Sequence, residues 1–365
     1  MASGKQLIAT LRKRLGPGQV TTNHRALYEA SMDNLRYSRM PSARIRPVDE
    51  DAIGVVLELA NDHRIPLTVR GAGTATTGTT SPSEGGWVLD LGHWTNCHID
   101  PVSRMAFVQP GVTIANLDAA AAKHGLMYPV DPGSHNYATI GGNIATNAGG
   151  MRAAKYGVTR DYVLALEGFL PTGEFVRWGA NLKKCSVGFN MRDLWIGSEG
   201  SLGIITGAVI KLVARPEIRA TCLAVFPSSD EALACSHDLL LAGHNPSALE
   251  FLDAETVGCT FAFWKKRDPE ALDHLPTCLR QWSYRPQPPA LLLIELDGTR
   301  ESTRVQLRDV EGFIEKRTRD WASAIDEETT EFLWKIRRSC SQAMFELGSR
   351  KLNEDVVVPF DCQLA

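Results

Sequence analysis

The sequence lacks paired cysteines, an excess of charge of either sign, an apolar run long enough to cross a bilayer, and any repeat of fixed period. Its eight cysteines (Cys97, Cys185, Cys222, Cys235, Cys259, Cys278, Cys340, Cys362) stand singly. That spacing excludes the C-x-x-C signature of zinc, iron–sulfur and dithiol sites and predicts free thiols in a reducing compartment. With 39 basic against 42 acidic side chains and a formal net charge of −3, there is no electrostatic footprint for a nucleic-acid backbone or an anionic membrane surface. Residues 1–14 carry Lys5, Arg12, Lys13 and Arg14 but not the apolar core of a secretory signal, and no window reaches the ~20 apolar residues of a membrane span. These absences predict a cytoplasmic protein with a small-molecule partner, no nucleic acid and no transmembrane segment.

What is present suggests two domains, the expectation for 365 residues at ordinary domain size. The spacing of Ile53, Val56, Leu57 and Ala60 predicts a helix over 47–61, and 113–124 reads as a helix capped by Thr113 and closed by Gly125. Short strands are predicted at 66–70, 87–91 and 105–111, a hairpin over 162–178 around Pro171-Thr172-Gly173, and a buried strand over 203–213. After Pro216 the texture changes to longer alternating elements in the order β-α-β-β-α-β. That order predicts a ferredoxin-like antiparallel sheet with helices on one face, followed by a helix over 327–347. The division is therefore drawn at residues 1–216 and 217–365.

Three glycine-rich stretches stand out in the first part. Arg70-Gly71-Ala72-Gly73-Thr74-Ala75-Thr76-Thr77-Gly78 follows a strand, where exposed backbone N–H groups can cradle a pyrophosphate. It is not a dinucleotide-binding βαβ loop, because Thr76 replaces the third glycine and TTGTTSPSEGG cannot continue as a helix. Taken alone, such a loop is far more often a tight connection than a phosphate cradle. The second stretch, residues 131–157, holds Asp131-Pro132-Gly133-Ser134 and IGGNIATNAGG from Ile140 to Gly150, and is too rich in Gly, Asn, Ser and Thr to be a core element. Ordering so much glycine is costly unless the loop binds something. The third, Gly197-Ser198-Glu199-Gly200-Ser201-Leu202-Gly203-Ile204-Ile205, bends just before a strand. Three such loops in one domain point to one extended ligand.

The motifs PLTVRGAGT, QPGVT, DPGS, IGGNIATNAGG, KYG and GSEGSLGIIT, in this order, resemble the FAD-linked oxidases of the vanillyl-alcohol oxidase (PCMH-type) fold. The chain looks most like their D-lactate dehydrogenase and glycolate oxidase flavin-subunit branch, over residues 46–359. The resemblance implies an α+β chain: a PCMH-type FAD-binding domain of two α+β subdomains, then a ferredoxin-like substrate (cap) domain, incomplete at the C-terminus. It implies that Arg70, Gly71, Ala72, Gly73, Thr74, Gly78, Asp131, Pro132, Gly133 and Ser134 surround the pyrophosphate, and that Gly111 is also a cofactor-binding residue. Gly141, Gly142, Ala145, Asn147 and Gly150 would follow the flavin and ribityl chain, and Glu199, Gly200, Gly203, Ile204 and Ile205 the adenosine half. Some relatives tether FAD through a histidine in the first loop. Here Ala72 and Thr74 stand there and no histidine lies between Arg70 and Trp87, so non-covalent FAD is implied.

In the second part Leu333-Trp334-Lys335-Ile336-Arg337-Arg338 matches an L-W-x-x-R pattern whose arginine holds the substrate carboxylate in relatives acting on 2-hydroxy acids. A planar guanidinium suits that task, since it grips a carboxylate through two parallel hydrogen bonds. Without the resemblance, Arg337 and Arg338 read first as a solvated helix face. Asn353 and Glu354, just before DVVVP, fall where relatives approach the substrate and read equally as the entry to a strand. The implied reaction is FAD-dependent oxidation of a 2-hydroxy acid, of D-lactate, glycolate or D-2-hydroxyglutarate type, to the 2-oxo acid. Its electrons would pass to a quinone, a cytochrome or an iron–sulfur partner subunit. Relatives run on for roughly another hundred residues, within ordinary domain size, through G-D-G-N-x-H and E-H-G segments that bind a divalent metal and supply a base. Neither segment is in this sequence, so metal ligands and base are not assigned to it. Two rival readings are an alditol or alcohol oxidase of the same fold and a catalytically incomplete FAD-binding subunit.

Overall fold

The structure, a computed structural model, describes residues 4–348, 356–359, 362 and 363. Its chain forms two compact units: residues 1–150 with 157–214, and 151–156 with 215–365.

The first unit opens with α1 (Gly4–Leu15), β1 (Val20–Thr21), α2 (His24–Glu29), β2 (Ala43–Ile45), α3 (Glu50–His63), β3 (Leu67–Arg70) and β4 (Trp87–Asp90). Their sheet runs β1-β2-β4-β3, with β4 parallel to both β2 and β3. Asp49 caps α3 by accepting from Ala52 N, and Ile53, Val56, Leu57 and Ala60 are all buried against this sheet, as their spacing predicts. Leu7, Leu11 and Leu15 of α1 join the same core at the i, i+4, i+8 spacing of a helix face.

A second, antiparallel sheet of order β5-β6-β10-β8-β9 follows. It is built from β5 (Cys97–Asp100), β6 (Met105–Val108), β8 (Val163–Phe169), β9 (Phe175–Gly179) and β10 (Ile204–Lys211). Thr113 caps α4 (Ile114–Ala122) by accepting from Asn116 N. β7 (Leu126–Met127) makes a small separate ladder with β11 (Val213–Ala214), so the strand predicted over 203–213 divides at Leu212.

Between α4 and β8 lies a correction to the sequence reading. The second glycine stretch contains α5 (Ile140–Thr146), with Ile140, Asn143 and Ile144 buried. The i, i+3, i+4 spacing of these three and the Thr139 cap, which accepts from Gly142 N, outweigh the low helix propensity of two glycines. Beyond it come α6 (Ala153–Tyr156) and α7 (Arg192–Trp195).

The second unit is built on β12 (Ile218–Phe226), α8 (Ser229–Leu241), β13 (Ala248–Leu252), α9 (Ala254–Arg267), α10 (Glu270–Asp273), α11 (Thr277–Arg280), β14 (Ala290–Gly298), α12 (Arg300–Ile314), β15 (Trp321–Ala324) and α13 (Glu327–Ala343). Its antiparallel order β13-β14-β12-β15 is the ferredoxin-like one. The expectation of helices on one face is incorrect, because both faces are covered. Leu292, Ile294 and Leu296 of β14 pack with Leu239 of α8 and Leu307, Val310 and Ile314 of α12. The alternate residues Leu291 and Leu293 pack with Val257, Phe261 and Trp264 of α9 and Leu333, Trp334 and Ile336 of α13. Burial on both sides explains the unbroken apolar run ALLLI at 290–294.

Candidate functional site

The glycine loops converge in the first unit because their backbones touch. Ile140 N donates to Val112 O at 2.8 Å and Gly141 N to Pro110 O at 2.9 Å, joining the QPGVT turn to the start of α5. Gly111 N donates to Trp94 O, and a Cβ on Gly111 would lie 2.6 Å from Leu91 O and 2.7 Å from Gly92 O. Only glycine permits that approach. A Cβ on Gly71 would overlap Thr139 Oγ1, so the first loop also rests on α5. At the far end of α5, Gly197 N donates to Ile144 O at 3.0 Å and Glu199 N to Ala145 O at 2.8 Å, which brings in the third loop. Asn147, left-handed at φ 48°, closes α5 and accepts from Arg160 N at 3.0 Å. Gly150 lies where a Cβ would collide with Asp131, tying the DPGS turn to the same wall.

Other residues named from the sequence have different surroundings. Arg70 turns inward: its guanidinium donates to Met32 O at 2.8 Å and to Thr80 Oγ1 at 3.4 Å, and lies across Gly73. Burial pulls its pKa below the usual arginine value, opposed by the nearby Asp90 carboxylate. Gly203 packs against Trp195 and Phe169 O, and Ile204 is a core residue at 3% exposure. Ile205 and Gly200 flank that bend. Pro132, Gly133 and Ser134 turn at the surface, where Pro132 O accepts from His135 N. Asn353 and Glu354 lie outside the described residues.

Sequence reasoning missed the residues that shape the first loop. Asp33, buried at 5% exposure, accepts from Gly78 N at 2.9 Å and Leu35 N at 2.9 Å, while Asn34 N donates to Ala75 O and its Nδ2 to Thr74 O. The Asp-Asn pair is itself an Asx-turn signature and the one cue available. With Arg70 below and Asp33 and Asn34 behind, the backbone from Ala72 to Thr77 is held at the surface. None of its N–H groups has an acceptor among the described residues.

In the second unit Arg337 lies on α13, one turn after Leu333 and Trp334, whose side chains are buried. Its Nε donates to Glu250 Oε2 of β13 at 2.5 Å, and neither Nη has a protein partner among the described residues. The Arg337 side chain keeps 36% of its surface exposed. Arg338 points elsewhere, to Glu331. Between Glu328 and Arg338 the other face of α13 borders a 590 Å³ hollow with Ala322 and Ser323 of β15, which Arg337 does not line.

Residues 41–179 match the FAD binding domain family and residues 215–362 the C-terminal domain family of FAD linked oxidases. The chain belongs to the FAD-linked oxidases. The chain is 38% identical over 326 residues to glycolate oxidase subunit GlcD of Bacillus subtilis, an overlap of 89% of this chain and 66% of that one. It is 34% identical over 327 residues to a D-lactate dehydrogenase of Anaerostipes hadrus, covering 87% of this chain and 66% of the relative. The chain thus spans just under two thirds of the length of these curated relatives. Its fold is that of an alkyldihydroxyacetonephosphate synthase (TM-score 0.78, 20% identity, 94% of this chain and 64% of that one). It is also that of p-cresol methylhydroxylase (TM-score 0.73, 18% identity, 94% and 72%).

The family's cofactor is FAD, and the first unit of this chain fits it. A pyrophosphate needs donors on small residues, and the run of N–H groups from Ala72 to Thr77 supplies them without side-chain bulk. The start of α5 does not, since the N–H groups of Gly141, Gly142 and Asn143 are taken by Pro110 O, Thr139 Oγ1 and Thr139 O. For a divalent metal the fit fails: among the described residues no group of three His, Cys, Asp or Glu side chains converges.

Proposed function

We propose that this chain is the flavin-bearing part of an enzyme that oxidises a 2-hydroxy acid to the 2-oxo acid. FAD binding falls to residues 1–216 and substrate binding to residues 217–365. Bound non-covalently, FAD supplies a two-electron acceptor for the substrate C–H. Arg337 carries the reading: one donor is fixed by Glu250 and two adjacent Nη groups remain to grip a carboxylate, which orients the 2-carbon. The first loop, with Gly71, Gly73, Thr74 and Gly78, holds the pyrophosphate, and Gly133 and Ser134 close on it. Relatives named as a glycolate oxidase subunit and D-lactate dehydrogenases support the substrate class. The same names support an electron-accepting partner subunit or carrier.

The test is the visible flavin absorbance of the FAD-loaded protein under anaerobic addition of D-lactate, glycolate and D-2-hydroxyglutarate. Bleaching by one of the three is expected, and its loss in Arg337→Ala. Bleaching by alditols alone, with Arg337→Ala unaffected, would overturn the reading.

A further inference from the structure

The six residues 151–156 cluster with the second unit, while the chain on either side of them belongs to the first. They meet two carboxylates on one face of β14, the face that carries Leu291 and Leu293 further along the strand. Arg152 Nε donates to Glu295 Oε1 at 3.1 Å. Lys155 Nζ donates to Asp297 Oδ1 at 2.5 Å and to Asp297 O at 3.0 Å, and Tyr156 OH donates to Asp297 Oδ2 at 2.8 Å. Glu295 keeps 4% of its surface exposed and Asp297 1%. Ser247 Oγ adds a bond to Glu295 at 3.2 Å. Carboxylates taken this far from water must be paired, and the cationic segment is what pairs them.

Both ends of the segment are fixed in the first unit. Gly150 sits against Asp131 with no room for a Cβ, and Gly157, at φ 74°, precedes Val158, whose N–H donates to Asp161 Oδ2 at 2.8 Å. The segment directly continues the glycine stretch that borders the DPGS turn. Gly150, which packs against Asp131, is bonded directly to this segment.

We propose that Glu295 and Asp297 are positioning residues for FAD: by holding Arg152, Lys155 and Tyr156 they set the glycine wall, although neither carboxylate belongs to the FAD-binding domain. The proposal rests on the reading of the glycine loops as the FAD site and needs no turnover to test. Linkage makes the effect reciprocal, so FAD also stabilises the seat of the segment on β14.

The experiment is a titration of the full chain with FAD, followed by quenching of flavin fluorescence. Lys155→Met and Asp297→Asn are expected to weaken FAD binding at least tenfold, Lys155→Arg to recover most of that loss, and Tyr156→Phe, which removes one hydrogen bond and keeps the charges, to weaken it about threefold. In the unaltered chain, FAD should slow tryptic cleavage after Arg152 and Lys155. If the clip merely stabilised the second unit, these variants would lower its melting temperature and leave FAD affinity untouched. Wild-type affinity in folded Tyr156→Phe and Lys155→Met proteins overturns the proposal. An unaltered chain that binds no FAD overturns the reading of the glycine loops, and the proposal with it.

Discussion

Arg337 and Glu250 form a part-buried pair in which the carboxylate fixes Nε and neither Nη has a protein partner among the described residues. A free arginine has several rotatable bonds to order when it binds a ligand, and a guanidinium already held by one charge-assisted bond loses less freedom on gripping a second. Glu250→Ala is therefore expected to raise KM for the hydroxy acid about tenfold, the worth of one charge-assisted hydrogen bond, with a smaller change in kcat. Glu250→Gln, which keeps an acceptor oxygen, should lie between. Steady-state kinetics with an artificial acceptor decides it, and an unchanged KM in Glu250→Ala would remove Glu250 from the site. At this scale the sequence was only partly legible. Paired arginines on a helix are ordinary, so Arg337 stood out through its resemblance to L-W-x-x-R and not through its own pattern. Glu250 and Asp33 lie far from their partners in sequence and had no local cue beyond the Asx turn at Asp33-Asn34.

Glycines in the loops divide into those that let backbones pack and those that leave room at the surface. Gly111 is of the first kind: an added Cβ would meet two carbonyl oxygens within 2.7 Å. Gly133 is of the second, with nothing within 4 Å of an added Cβ. Gly111→Ala should therefore lower the stability of the FAD-free protein by about 1–3 kcal/mol, the usual consequence of overpacking. Gly133→Ala should leave that stability unchanged and weaken FAD binding. Thermal unfolding without FAD, paired with FAD titration, separates the two, and equal effects of both variants would mean that Gly133 serves packing alone. The elements that were legible owe it to local rules: α3 and α4 announce themselves by apolar spacing and by Asp49 and Thr113 at their caps, and the second unit by its strand–helix alternation. What was missed depends on distant partners. α5 forms from a glycine-rich stretch because Ile140 and Ile144 find a core, and α9 covers a sheet face that the β-α-β-β-α-β order leaves open.

Each unit has cores of its own. One gathers Leu11, Ile53, Val56 and Leu89 in the first unit, and others gather Leu223, Phe261, Leu293 and Trp334, or Ile294 and Val310, in the second. A chain built this way is not expected to melt as one cooperative transition. The glycine loops that fit FAD all belong to the first unit, so FAD acts there by mass action, adding about 2.7 kcal/mol when its free concentration is a hundredfold above Kd. Calorimetry should accordingly show two transitions, with FAD raising the one that belongs to the first unit by several degrees. If the anchoring of residues 151–156 on β14 couples FAD to the second unit, the other transition rises too, by less, and that smaller rise disappears in Lys155→Met while the larger one weakens only with the lost affinity. A single transition that FAD does not move would mean that the glycine wall binds no FAD in the folded chain.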